Sequence, residues 1–202
     1  VFEFFQMYVN REEISQINLE PALENLLDRW IVSRLNNLIK EVTDYLDSYN
    51  PSSATLAIEN FFIEDLSLWY LRRSRERFHL SDIEERKKAI QTLYYVLLNL
   101  TKLIAPFIPF FAEEMYFRIK KEEMPESIHL WEWPNSDERK IDKNLEEEMN
   151  LIRNLIAKAL SERAEAGIKI RQPLNELKLK IQELKEKEGL LKLIKEEVNV
   201  KR

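Results

Sequence analysis

Four arginines fall within six positions of the run WYLRRSRERFH, residues 69–79: Arg72, Arg73, Arg75 and Arg77. On a helix, Arg72 and Arg75, or Arg73 and Arg77, share a face, so the run can present two pairs of guanidinium groups. Guanidinium forks suit phosphate oxygens, which makes an anionic backbone one reading of the cluster. The other reading is structural, because basic side chains favour the last turn of a helix and pair with carboxylates such as Glu76. Charge pattern alone leaves the two readings even. A second basic group, Arg163, Lys169 and Arg171, brackets Gly167, where a solvated helix end is a simpler explanation than a binding site.

Other chemistry has little to work with. The chain has no cysteine, which removes disulfides, thiol nucleophiles and thiolate metal ligands, and its two histidines, His79 and His129, are too few for an ordinary zinc site. His79 stands beside the basic run, where a surface role at a helix end is simpler than phosphate contact. Asp65, Glu113 and Glu114 have no matching nucleophile or ligand set in the pattern around them. With only two glycines, Gly167 and Gly189, glycine-rich phosphate loops are excluded. Trp131 and Trp133 alternate in an extended stretch and offer faces for base stacking, although covering a core is the commoner use of Trp.

The formal charge of −5 conceals an uneven distribution. Residues 1–68 carry four Lys/Arg against twelve Asp/Glu, residues 69–102 carry eight against four, and the remainder nineteen against twenty. A basic segment thus lies between an acidic and a nearly neutral one, so a polyanion would dock through a defined face. No apolar run is long enough for a membrane span, and the aromatic start VFEFFQMYVN lacks the features of a secretory leader, so a cytoplasmic protein is expected.

The elements that must position these residues are helices. From Ala22 to about Tyr49, Leu23, Leu26, Leu27, Trp30, Ile31, Leu35, Leu38, Ile39, Val42 and Leu46 recur at intervals of three and four. Asn50-Pro51 stops that helix, and Ser52 or Ser53 is the expected cap of the next, which runs to about Phe78 with Leu56, Phe61, Phe62, Leu66, Trp69 and Tyr70 buried. Ser81 or Asp82 caps a third helix ending near Pro106, and a shorter piece follows Pro109. Residues 125–136 form an extended link, and a fifth helix spans about 141–166. After Gly167, Leu177, Leu179 and Ile181 alternate with polar residues as a strand would, followed by a polar helix from about Glu183 to Glu196 and an apolar Val198-Asn199-Val200. The expected fold is mainly α: a leading segment over 1–20, an antiparallel helical bundle over 21–166, and the start of a small α/β unit over 167–202.

Several long motifs resemble one family in order along the chain. LLDRWIVSRLNNLIKEVTDYLDSY, at 26–49, resembles the start of the anticodon-binding helical bundle of class I aminoacyl-tRNA synthetases for aliphatic amino acids. IEDLSLWYLRRSRERF at 63–78 is similar to the isoleucyl branch, as is ERAEAGIKIRQPLNELKL at 162–179; LIAPFIPFFAEEMY at 103–116 and ESIHLWEWP at 126–134 match the family's third-helix exit and link. The resemblance covers essentially the whole chain, including VFEFFQMYVN as the segment leaving a catalytic domain.

The resemblance implies a tRNA-binding part of an isoleucine–tRNA ligase that positions the anticodon stem and loop of isoleucine tRNA. ATP and Mg2+ are implied for the catalytic part of the parent enzyme, with no cofactor, metal or catalytic residue in this segment, which would be inactive alone. Its implied partners are isoleucine tRNA and the catalytic and editing domains of the same parent chain, without a membrane. Arg72, Arg73, Arg75 and Arg77 become the tRNA-facing cluster, Lys169, Arg171 and Gln172 candidates near the junction, and Trp69 and Tyr70 structural supports. The competing expectation is a structural or protein-interaction bundle that does not bind tRNA by itself.

Overall fold

The computed structural model describes residues 1–79, 82–178 and 187–201, and it divides the chain into two compact units, Val1–Asp142 and Lys143–Arg202. The first unit is a helical bundle. Its core elements are α1 (Phe2–Tyr8), α2 (Arg11–Gln16), α3 (Leu26–Asp47), α4 (Pro51–Asn60), α5 (Ile83–Ile104) and α6 (Pro109–Ile119). The second contains α7 (Lys143–Glu165) and α8 (Glu188–Val198).

Helix ends follow local chemistry. The Asn10 side chain accepts from Glu13 N while the Glu13 carboxylate accepts from Asn10 N, a reciprocal box that starts α2. Asn25 caps α3 by accepting from Leu27 N, so the helix begins after Pro21 rather than around it. Asn50, not Ser52 or Ser53, caps α4: its side chain accepts from Ser53 N, with Pro51 at the first helical position, where its missing N–H costs nothing. Asp82 caps α5 by accepting from Glu84 N and Glu85 N.

Around α3 the expected apolar face is the core: Trp30, Ile31, Leu35 and Val42 are fully buried and meet α4 and α5. Phe5 of α1 is also fully buried, and α1 packs on α5. The ammonium of buried Lys121 donates to the Ser15 and Ile17 carbonyls at the end of α2, where the helix leaves acceptors unsatisfied.

After α4 the winding changes. Phe61–Leu71 forms a π-helix, followed by one α turn at Arg72–Ser74 and a 3-10 turn at Arg75–Phe78. Bonding from i to i+5 widens the turn, and the buried positions become Phe61, Asp65, Leu66, Trp69 and Tyr70. Leu56 and Phe62, both expected inside, are instead 57% and 39% exposed. Phe110, in the first turn of α6, is also outside at 91%. Nearby, Ile58, Phe62, Leu97, Phe107, Phe111 and Met115 line an apolar cavity of about 300 Å³.

Trp131 and Trp133 clasp the bundle. Trp131 meets the Tyr116 ring edge-on at 5.9 Å, and the Lys102 ammonium sits 3.8 Å from its ring centre; burial draws Lys102 down to about 8 while Glu132 opposes the shift. Trp133 Nε1 donates to Thr43 Oγ1, Asp137 N to Asn36 Oδ1 and Asp142 N to Ser33 Oγ, so the link descends along α3.

The second unit corrects one boundary. The helix expected to finish the bundle, α7, clusters with α8 instead. Among the described residues there is no extended strand: the β structure is an isolated parallel bridge between Leu174 and Val200, secured by Leu174 N to Asn199 O and Lys201 N to Leu174 O. Leu179 and Ile181 lie outside the described residues, so the expected strand alternation is not read there. The C-terminal helix is described over Glu188–Val198, the expected start near Glu183 lying outside the described residues, and it ends on Asn199 in the left-handed region at φ 54°.

Candidate nucleic-acid interface

Arg72, Arg73, Arg75 and Arg77 come from the segment where π, α and 3-10 turns succeed one another, and their side chains part company. Arg72 and Arg75 are exposed. The Arg73 guanidinium lies over Trp69, 5.6 Å from the ring centre, and that of Arg75 lies 5.7 Å from the ring of Phe4 in α1. Phe4 in turn meets Phe78 edge-on at 5.0 Å, and Tyr8 packs on both Phe78 and His79. Tyr8 Oη is 2.5 Å from His79 Nε2, which gives His79 a local structural partner. Aromatic rings of the leading segment therefore support the basic turn from beneath.

Arg77 corrects the expected exposed cluster. It is 9% exposed, and its Nη1 and Nη2 donate to the two oxygens of Asp28 at 2.8 and 2.6 Å. Its Nε donates to Glu85 at 2.6 Å, while Tyr70 Oη donates to Asp28 Oδ1 at 2.7 Å. Asp28 is wholly buried. Burial pushes its carboxyl upward against the hydrogen bonds of Arg77 and Tyr70, yet three donors on two oxygens require an acceptor, which fits the ionised form. Burial lowers the Arg77 guanidinium, but the Asp28 hydrogen bonds and charge outweigh that effect and the net shift is upward. A guanidinium so occupied has no fork left for phosphate. Its role is to anchor the turn that carries Arg72 and Arg75.

In the second unit, Lys169, Arg171 and Gln172 are all exposed, but Gln172 is committed to its own turn: its Oε1 accepts from Lys169 N at 3.2 Å and its backbone N–H donates to Lys169 O. Gly167 ends α7 at φ 69°, with Ile168 N bonding Arg163 O and Gly167 N bonding Ala164 O. The residue sequence reasoning treated as solvated, Arg163, is buried and donates from Nη2 to the carbonyls of Lys169 and Gln172 at 2.8 and 2.6 Å.

One signal would have identified both inward arginines. Leu66, Tyr70, Ser74 and Arg77 are separated by four, four and three, and Met149, Ile152, Ile156 and Arg163 follow the equivalent stripe of α7. An arginine on the apolar stripe of its helix points inward. The carboxylates considered for catalysis also have structural work: Asp65 pairs with Arg34, Glu114 with Arg118, and Glu113 accepts from Ser127 Oγ and Ile128 N. Among the described residues no group of His, Cys, Asp and Glu is arranged to hold a metal, and no helix is long and apolar enough to cross a membrane.

The basic turn is carried by a helical bundle and anchored internally through Arg77, and residues 28–181 match the family described as the anticodon-binding domain of tRNA ligase. The chain belongs to that family. It is 40% identical, over its full length, to an isoleucine–tRNA ligase of Clostridium tetani and 41% to that of Clostridium acetobutylicum. It is 38% identical over 99% of its length to an isoleucine–tRNA ligase of Methanopyrus kandleri. The chain spans about a fifth of the length of these relatives.

Proposed function

We propose that this chain is the tRNA-binding part of an isoleucine–tRNA ligase and holds the anticodon stem and loop of isoleucine tRNA through Arg72 and Arg75. The observation that carries the reading is the division of labour in the turn: Arg77 is locked to Asp28 and Glu85, while Arg72 and Arg75 remain exposed on a family-matched bundle. Arg73, over Trp69, stiffens the turn, and Lys169 and Arg171 provide further positive charge in the second unit. ATP- and Mg2+-dependent aminoacylation belongs to the rest of the parent chain, and the segment alone is inactive. The whole works in the cytoplasm.

The test is equilibrium binding to isoleucine tRNA and valine tRNA across a salt series, with wild type and Arg72→Ala/Arg75→Ala. Affinity should fall with salt, and loss of two phosphate contacts should flatten the log–log slope by about 1.4–1.8. Isoleucine tRNA should bind more tightly. Equal affinity for both tRNAs would move discrimination outside this chain; no binding by a folded chain would leave the competing reading, a structural platform. That second reading has its own support in the exposed Phe111 and the apolar cavity that it lines.

A further inference from the structure

Arg75 and Arg77 are held in opposite ways. Arg77 commits its N–H groups to Asp28 and Glu85. Arg75 is exposed, its guanidinium lies over the Phe4 ring at 5.7 Å from the ring centre, and among the described residues no carboxylate pairs with it. A guanidinium is planar, and its five N–H bonds point outward in that plane. A ring against its face therefore steadies the group through the ring quadrupole and leaves the donor edges open.

The ring is itself fixed. Phe4 and Tyr8 share a face of α1 with their ring centres 4.8 Å apart, and both pack on Phe78, which is 1% exposed. Beside them Phe5 is wholly buried with its ring 6.1 Å from that of Tyr94, and Arg86 Nη2 donates to Tyr8 O at 2.8 Å, where the end of α1 leaves a carbonyl to be satisfied. The backbone of Arg75 is fixed as well, because Arg77, bound to Asp28, stands in the same 3-10 turn. An exposed arginine ordinarily loses rotamer freedom when it grips a phosphate. Arg75, laid on a fixed ring, has lost part of it beforehand.

We propose that Phe4 is a positioning residue for RNA binding: it holds the Arg75 guanidinium flat on its ring, so that the open N–H edge is set for a backbone phosphate before the RNA arrives. The leading helix α1 thereby tunes the affinity of a turn far along the chain. The inference rests on the RNA-binding reading above, with Phe4 acting through Arg75 and touching no RNA itself.

The experiment measures binding of an isoleucine-tRNA anticodon stem-loop to the whole chain at one fixed salt concentration. Two changes are made at position 4: Phe4→Leu, which removes the ring, and pentafluorophenylalanine, which keeps a ring of nearly the same shape but reverses its quadrupole and so guards against a leucine variant that fails to fold. Each should weaken RNA binding by about two- to fivefold, the range of an exposed cation–ring contact. In an Arg75→Ala background neither change should weaken binding further. Without RNA, the 15N–1H signal of Arg75 Nε should carry the upfield shift of a group above a ring and lose it with Phe4→Leu. Equal weakening with and without Arg75 would overturn the inference, since Phe4 would then act through the fold alone. Arg75→Ala weakening binding while both position-4 changes leave it intact would also overturn it and keep the RNA reading. No effect of Arg75→Ala, or no binding by the folded wild type, would instead sink Arg75 as an RNA contact and the inference with it.

Discussion

Asp28 and Arg77 show how much one buried residue depends on its partner. The pair replaces hydration with hydrogen bonds to both carboxylate oxygens, and Tyr70 and Glu85 complete the arrangement. Removing Asp28 leaves both Nη groups of a buried guanidinium without their acceptor and only Glu85 on its Nε, so Asp28→Ala should destabilise the first unit by about 3 kcal/mol in urea denaturation. The joint change Asp28→Leu/Arg77→Met should cost less than the single one, since no uncompensated charge remains; an equal or greater loss would show that the pair contributes more than mutual neutralisation. At this scale the sequence was only partly legible. Residue type marked Arg72 and Arg75 as basic, but Arg77 and Arg163 share that type and face inward. Their place on the apolar stripe was visible; their carboxylate or carbonyl partners, at long sequence separation or around a turn, were not.

Among the elements, the π segment Phe61–Leu71 sets the angle at which the basic turn leaves the bundle. Deleting Ile63, which is 40% exposed, would let bonding from i to i+5 return to i to i+4 with little loss of buried surface. The deletion should keep the helical content seen by circular dichroism. It should lower stability by about 3 kcal/mol, because it rotates Arg77 away from Asp28, and weaken RNA binding by rotating Arg72 and Arg75 with it. Unchanged stability would mean that the segment's register does not position Arg77. Apolar spacing gave α3 and α5 closely, since a 3.6-residue repeat continues through both. The same repeat failed after Asn60, placing Phe62 inside, because a wider turn obeys a different period. Capping was legible in kind but not in position: Asn50 and Ser53 are equally plausible by type, and the neighbouring Pro51 decides for Asn50 by taking the first helical place.

Across the whole molecule, the acidic majority and the local basic segment make charge a matter of place rather than sum. Composition and motif order therefore carried the family, while the division at Asp142 depended on which helices α7 meets, something periodicity does not encode. The exposed Phe110, next in the chain to Phe111 of the apolar cavity, has a colloidal consequence. At low ionic strength the net charge of −5 keeps copies apart; as salt screens it, short-range attraction between those rings is left unopposed. Sedimentation velocity should show a rising average mass across the same salt range in which RNA affinity falls, and Phe110→Ser should hold the mass constant. In wild-type protein, therefore, two processes remove free monomer and bound RNA together, and only the serine variant yields a salt slope that counts phosphates alone.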